Sequence, residues 1–406
     1  MKLGSPGFIG TRLKEAREAR GISATALAEL IDVSKQAISQ YENNHKTPGP
    51  DILYKISDQL NFPKPFFLLP KKEDITETIF FRSMSSATKQ ERLRAKHKLS
   101  WLKDIVAYLQ DFVVFKTPDL PDFGMLEPSE ITFDDIDNMA AECRAYWGLG
   151  QNPISNITML FENNGIIVTR GILEADKLDA LSEWDPATRH PYIYLGADKG
   201  VAARSKFDIA HELGHLVMHR AVQHKKLSSP KAFKLIETQA NRFAGIFLLP
   251  EETFLNDLTY PSLDAFWLLK EKWRVSIALM IVRCRDLNVV DEEMYRRLWI
   301  NLGRRGWRKK EPLDDSIPVE EPQFLKRAIM LLLEKGIQTK DDILANLPFP
   351  KTAIEELTGL SQGFFSIKEA AIEPLPQLRI KKNSLSRKFD KKADVIPFKH
   401  IKHNKA

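Results

Sequence analysis

The chain has 406 residues, 43% of them hydrophobic and 28% charged, with a net charge of +6. That is enough apolar material for sizeable cores and, at about 150 residues per domain, for two or three domains. It excludes wholesale disorder, and no apolar run nears the roughly 18 residues of a membrane span. Two cysteines, Cys143 and Cys284, exclude a disulfide framework and a cysteine-based zinc finger. With no apolar segment in Met1–Gly7, the expectation is a cytoplasmic chain with reduced thiols and no membrane partner.

Residues 8–70 read as about five short helices with apolar positions at Leu13, Ala16, Leu27, Ala28, Ile31, Ile38, Leu53 and Ile56. Ser23–Leu30 and Ser34–Glu42 form two helices around a tight Ile31-Asp32-Val33 turn, each opened by a serine suited to capping. In a helix-turn-helix the second helix enters the major groove N-terminus first. Lys35, Gln36, Ser39 and Gln40 are the candidate DNA contacts: glutamine can bond adenine bidentately, and lysine or serine can reach phosphate or a base edge. A fold kept for protein contact is the competing reading, because Glu15, Glu18 and Glu42 lie nearby.

The run Leu27-Ala28-Glu29-Leu30-Ile31-Asp32-Val33-Ser34-Lys35-Gln36-Ala37-Ile38-Ser39-Gln40-Tyr41-Glu42-Asn43 resembles the Cro/C1-type (XRE) helix-turn-helix family. The resemblance implies binding to double-stranded operator DNA, usually as a homodimer. Ala24 stands where that family often has a glutamine on phosphate.

Residues 71–131 read as a polar connector followed by a long helix with Leu102, Ile105, Val106, Leu109, Phe112 and Val113 at helical spacing. From Thr132 to about residue 300 helices mix with short β segments at Gly165–Thr169 and Tyr192–Leu195. Gly303–Lys310 reads as the start of a linker, 312–364 as a small helical C-terminal region, and His190 and His224 as loop histidines. Residues 381–406 hold nine Lys/Arg against two Asp, more than the whole-chain excess. This basic tail is expected to be disordered and solvated, or a non-specific phosphate contact.

The most informative segment is Arg204–His219. His211 and His215 are four apart, so on a helix they share a face and can hold one metal ion. Glu212, beside the first histidine, can act as base toward water activated by zinc. Gly214 leaves room beside the metal. A catalytic zinc needs a third protein ligand. Ala232–Leu249 forms a second helical pattern with Glu237, Ala240, Asn241 and Ala244 on one stripe, so Glu237 can complete the set while the alanines let the helices approach. His219 reads as a support for the ligands, as a C-terminal complement to the helix dipole, or as a further ligand. Asn241 and Arg204 are candidates for supporting the ligands or touching substrate, and Lys206 shares with Arg204 the choice between a structural ion pair and a substrate contact.

This segment, together with Trp147-Gly148-Leu149-Gly150, Phe161-Glu162-Asn163-Asn164-Gly165-Ile166 and Glu237-Thr238-Gln239-Ala240-Asn241-Arg242-Phe243-Ala244, resembles the ImmA/IrrE family of zinc metallopeptidases over roughly residues 75–300. The resemblance implies a zincin-like domain over 132–300, zinc on His211, His215 and Glu237, and Glu212 as acid/base. It also implies a helix-turn-helix repressor as protein substrate. The expected fold is mainly α with a small β component (α+β). The expected function is a DNA-binding regulator whose zinc-dependent endopeptidase cleaves a partner repressor or the chain itself. The alternative is a transcription factor or antitoxin-like regulator whose metallopeptidase-like domain senses or binds a partner without proteolysis.

Overall fold

A computed structural model describes residues 4–70, 79–81, 88–124, 126–174, 178–197, 200–220, 222 and 229–366. The basic tail 381–406, the connector around 82–87 and His224 lie outside them. The fold is mainly helical with a small β component, as the sequence predicts, and the strands among the described residues form one four-stranded sheet.

The N-terminal bundle consists of α1 (Gly10–Ala19), α2 (Ala24–Leu30), α3 (Lys35–Glu42), α4 (Pro50–Leu60) and a 3-10 turn at Lys64–Phe67. Ser23 Oγ accepts from Ala26 N at 3.0 Å and Ser34 Oγ from Ala37 N at 3.1 Å, so both serines cap where expected. Gly10 sits against the end of α3. A Cβ there would stand 2.0 Å from the Tyr41 carbonyl oxygen, so only glycine lets α1 and α3 meet.

The bundle is joined to a long helix, α5 (Lys89–Gln110), by buried polar contacts. Trp101 Nε1 donates to Glu15 Oε1 at 2.7 Å, and His97 Nε2 pairs with Glu18 Oε2 at 3.0 Å. The hydrogen bond to His97 is the main cause of a lowered Glu18 pKa. Phe62, Phe66 and Trp101 pack with Phe349 from the C-terminal region, and Trp101 and Phe349 stack at 5.6 Å. Leu102, Ile105, Val106 and Leu109 are buried as expected. Phe112 lies past the end of α5 and is exposed, because the helix stops at Gln110.

After α6 (Phe133–Tyr146) and α7 (Ile157–Asn163) come β2 (Ile167–Gly171), β3 (Ala180–Asp185) and β4 (His190–Gly196). With β1 (Ile79–Phe81) they form a sheet in the order β1-β3-β4-β2, where only the β2–β4 pair is parallel. Alternation along the strands separates two cores. Tyr192 and Tyr194 join the core of the N-terminal bundle, whereas Ile193 and Leu195 join the core of the following helices. Strand β3 is invisible to an apolar pattern because it carries Ser182 and Glu183, both fully buried. Glu183 is held by Lys103 Nζ at 3.1 Å. His190 is a strand residue and not a loop histidine: it opens β4, is buried, and contacts the Lys116 carbonyl at 3.1 Å.

Beyond the sheet run α8 (Ala202–Met218), α9 (Pro230–Leu248), α10 (Glu251–Asp257), α11 (Leu263–Trp273), α12 (Ile277–Asp286) and α13 (Glu292–Arg304). The expected linker at 303–310 instead folds back, with Trp307 half-buried and 6.4 Å from Trp267. The C-terminal helices α14 (Phe324–Glu334), α15 (Lys340–Asn346) and α16 (Lys351–Thr358) share the core of the N-terminal bundle. Glu162 accepts from the backbone of Gln323 and Phe324, each at 2.9 Å, capping α14. Glu356 accepts from Tyr194 Oη at 2.8 Å and from Lys98 Nζ at 2.8 Å, fastening α16 to the sheet and α5.

Because Phe349 bridges the N-terminal bundle and α5, Phe349→Ala is expected to cost about 3–5 kcal/mol. Chemical denaturation followed by tryptophan fluorescence checks this. The loss should appear as an earlier single transition that takes the N-terminal bundle with it.

Candidate metal centre

Helix α8 is buried along nearly its whole length. Lys206 is pinned by a bond from its ammonium to the Ile154 carbonyl, and burial pulls its pKa down to about 8. It is structural, although its partner is a backbone carbonyl and not a carboxylate. Arg204 is exposed on the same helix.

Helix α9 crosses α8 at a point of small residues. A Cβ at Gly214 would lie 3.3 Å from the Ala240 Cα and 3.2 Å from the Phe243 ring. Gly214 therefore makes room for the second helix, where the sequence suggested room for a metal. That close crossing carries Glu237 to the two histidines. His211 and His215 place their Nε2 atoms 3.0 Å apart, and Glu237 carboxylate oxygens lie 3.6 Å from the first and 3.3 Å from the second. The ligand atoms of all three residues lie within 4.8 Å of one another. Donors held tetrahedrally about 2.0–2.1 Å from one ion stand about 3.3 Å apart, so the donor set fits a single cation. Glu212 is fully buried on α8, about 60° round the helix from His215.

Comparison with known proteins agrees with the geometry. Residues 13–67 match the family described as Helix-turn-helix, and residues 161–285 match the family described as IrrE N-terminal-like domain. The chain carries a helix-turn-helix domain and an IrrE N-terminal-like domain. Its relatives include the HTH-type transcriptional regulator SutR of Escherichia coli, 41% identical over 63 residues, which are 16% of this chain and 35% of that protein. The HTH-type transcriptional regulator ImmR of Bacillus subtilis is 33% identical over 60 residues, 15% of this chain and 47% of that protein. An HTH-type transcriptional regulatory protein of Methanocaldococcus jannaschii, MJ1164, is 33% identical over 109 residues, 27% of this chain and 32% of that protein. The chain thus spans less than half the length of each of these relatives.

Within the IrrE N-terminal-like domain, other residues determine which nitrogen each histidine offers. Asn241 Oδ1 lies 3.0 Å from His211 Nδ1, so that nitrogen carries the proton and Nε2 keeps its lone pair. His215 Nδ1 lies 3.0 Å from His219 Nδ1, and His219 Nε2 lies 3.0 Å from Gln239 Oε1. The Gln239 amide nitrogen donates to the Pro128 carbonyl at 2.7 Å, which fixes its oxygen toward His219. Each donor in this chain forces the next, so His219 accepts from His215 and leaves His215 Nε2 free to donate a lone pair. Burial, and then the neighbouring His215, push the His219 imidazole down to about 3, which keeps it neutral. The Gln239 role is missed by stripe reasoning because that residue is about 200° round the helix from Glu237. A glutamine at three- and four-residue spacing from Ile236 and Phe243, on the apolar face of the helix, is the signal that could have found it.

In the helix-turn-helix domain, Lys35, Gln36 and Ser39 are exposed and Gln40 is half-buried. The four therefore occupy one helix, with its leading turn open to solvent. The two cysteines are buried, and burial pushes their thiols up, Cys284 to about 12.

Removing the hydrogen bond that orients His211 should weaken metal binding while the ligands stay in place. Asn241→Ala is expected to lower zinc affinity about 10–100-fold in a competition titration against a chromophoric chelator.

Proposed function

We propose that the chain is a DNA-binding transcriptional regulator carrying a zinc-dependent endopeptidase that acts on a regulatory protein. The convergence of His211, His215 and Glu237 on one point carries the reading. The division of labour follows the sequence boundaries. Residues 8–70 read operator DNA, 71–131 connect, 132–300 form the peptidase and 312–364 brace the two. The basic tail 381–406 adds a non-specific phosphate contact.

Two imidazoles and a carboxylate suit zinc on general grounds. Bound there, the ion supplies Lewis acidity, polarising a peptide carbonyl and acidifying water. Glu212 takes the proton of the attacking water and passes it to the departing amine nitrogen. Its place on α8, directly after His211 and one turn before His215, supports this role. His211 and His215 stay neutral and aimed because Asn241 and the His219–Gln239 pair hold their outer nitrogens. Arg204, exposed two turns before His211 on α8, touches substrate in this reading.

On the DNA side, Lys35, Gln36, Ser39 and Gln40 enter the major groove from the α3 N-terminus. Support comes from the Ser34 cap that opens that turn and from the exposure of Lys35, Gln36 and Ser39. Regulators such as SutR and ImmR share the helix-turn-helix stretch.

Two experiments test the two halves. Glu212→Gln in the zinc-loaded chain should lower cleavage about 10²–10⁴-fold. Labelling of new N-termini in a lysate of the source cells should show cuts made by the wild type and absent with the variant. Identical cuts with both proteins remove the peptidase. For DNA, Gln36→Ala with Ser39→Ala should cost about 1–3 kcal/mol per lost base contact and relax sequence preference in footprinting of the upstream promoter.

A further inference from the structure

A cleft of about 600 Å³ opens beside the metal centre. Its floor is the groove between α8 and α9. Arg204 and Phe207 stand seven and four residues before His211 on the same face of α8, and Thr238 and Asn241 follow Glu237 on α9. Asn241 belongs to both features: its side-chain oxygen holds His211 at 3.0 Å, and the residue lines the cleft. The opposite wall comes from α12, α13 and the turn after it, with Trp299, Trp307, Arg308 and Lys309. The cleft meets the metal centre at Asn241 and at Phe207, whose ring lies 6.3 Å from that of His211.

The lining is unbalanced in charge. Six basic residues, Arg204, Arg242, Arg283, Arg285, Arg308 and Lys309, face three carboxylates, Asp286, Glu311 and Asp314. The carboxylates are already engaged. Glu311 and Asp314 both accept from the fully buried Lys270 ammonium, at 2.7 and 2.6 Å, and Asp286 pairs with Arg285 at 3.3 Å. Arg242 is held by Asp137 at 2.7 Å. Arg204, Arg308 and Lys309 are exposed and have no carboxylate partner among the described residues. Between them lie the half-buried rings of Phe207, Trp299 and Trp307.

We propose that this cleft is a subsite selecting acidic peptide segments with interspersed large apolar side chains, and presenting them to the metal centre. Carboxylates of the segment pair with Arg204 and Lys309, while its apolar side chains insert among the three rings. Charge complementarity also excludes one occupant. The basic segment 381–406 of this chain has the same sign as the cleft, so the selected segment belongs to a separate, acidic stretch of protein. Binding here does not require the peptidase reading; only the cut that follows does.

The test uses the full zinc-loaded chain with Glu212→Gln, so that peptide is not consumed. The probe is a short fluorescein-labelled peptide alternating Glu or Asp with Phe or Leu, and its counterpart has Lys at every acidic position. Fluorescence anisotropy should show the acidic peptide binding at least about tenfold more tightly, with the preference shrinking as salt rises. Arg204→Glu with Lys309→Glu should erase that preference. Arg297→Glu, an exposed change outside the cleft, should leave it intact. Equal affinity for the two peptides, no binding of either, or a preference that survives the double reversal overturns the subsite. The chain with Glu212 intact separates the two ideas. Selective binding without a cut removes the peptidase and keeps the subsite, whereas equal cleavage of both peptides keeps the peptidase and removes the subsite.

Discussion

The close crossing of α8 and α9 is the constraint on which the site depends. Two histidines on one helix are common; a carboxylate brought within 3.3–3.6 Å of both from another helix requires the backbones to approach at Gly214 and Ala240. Larger side chains there would separate the helices and carry Glu237 away. The packing of Phe243, Ala244 and Phe247 around the crossing makes the approach rigid. Burial then makes orientation matter, since an imidazole without water must find its partners within the protein. Asn241, His219 and Gln239 are those partners.

The sheet sets the relation between the two functional regions. Its alternating residues divide the molecule into two cores, one shared by the N-terminal bundle, α5 and the C-terminal helices, the other built around α8 and α9. The helix-turn-helix domain is thus fixed to the frame by Trp101, His97 and Phe349. Helix α16 is tied through Glu356 to Tyr194 of the sheet and to Lys98 of α5. The helix-turn-helix domain and the IrrE N-terminal-like domain therefore share one scaffold, which a flexible string of domains would not provide.

Much of this was legible in the sequence for local reasons. The serine caps, the Ile31-Asp32-Val33 turn and the histidine spacing all act over a few residues, and each appears where its pattern predicts. The Glu237 stripe was legible because small residues at three- and four-residue spacing imply a close crossing. Less local features were hidden. Strand β3 buries Glu183 against Lys103, so its polar pattern looks like a loop. The stretch after Gly303 resembles a linker, yet Trp307 turns back onto Trp267. Gln239 acts through His219, 20 residues earlier in the chain, and spacing along one helix cannot show that. The docking of 324–358 depends on carboxylates of Glu162 and Glu356 whose partners come from distant segments.

Anomalous diffraction from crystals of the zinc-loaded chain, recorded on both sides of the zinc edge, tests the central claim most directly. One strong peak is expected, bonded to Nε2 of His211, Nε2 of His215 and the carboxylate of Glu237, with Asn241 and His219 on the outer ring nitrogens. A peak elsewhere, or Glu237 turned away from an ion held by the histidines alone, would contradict it.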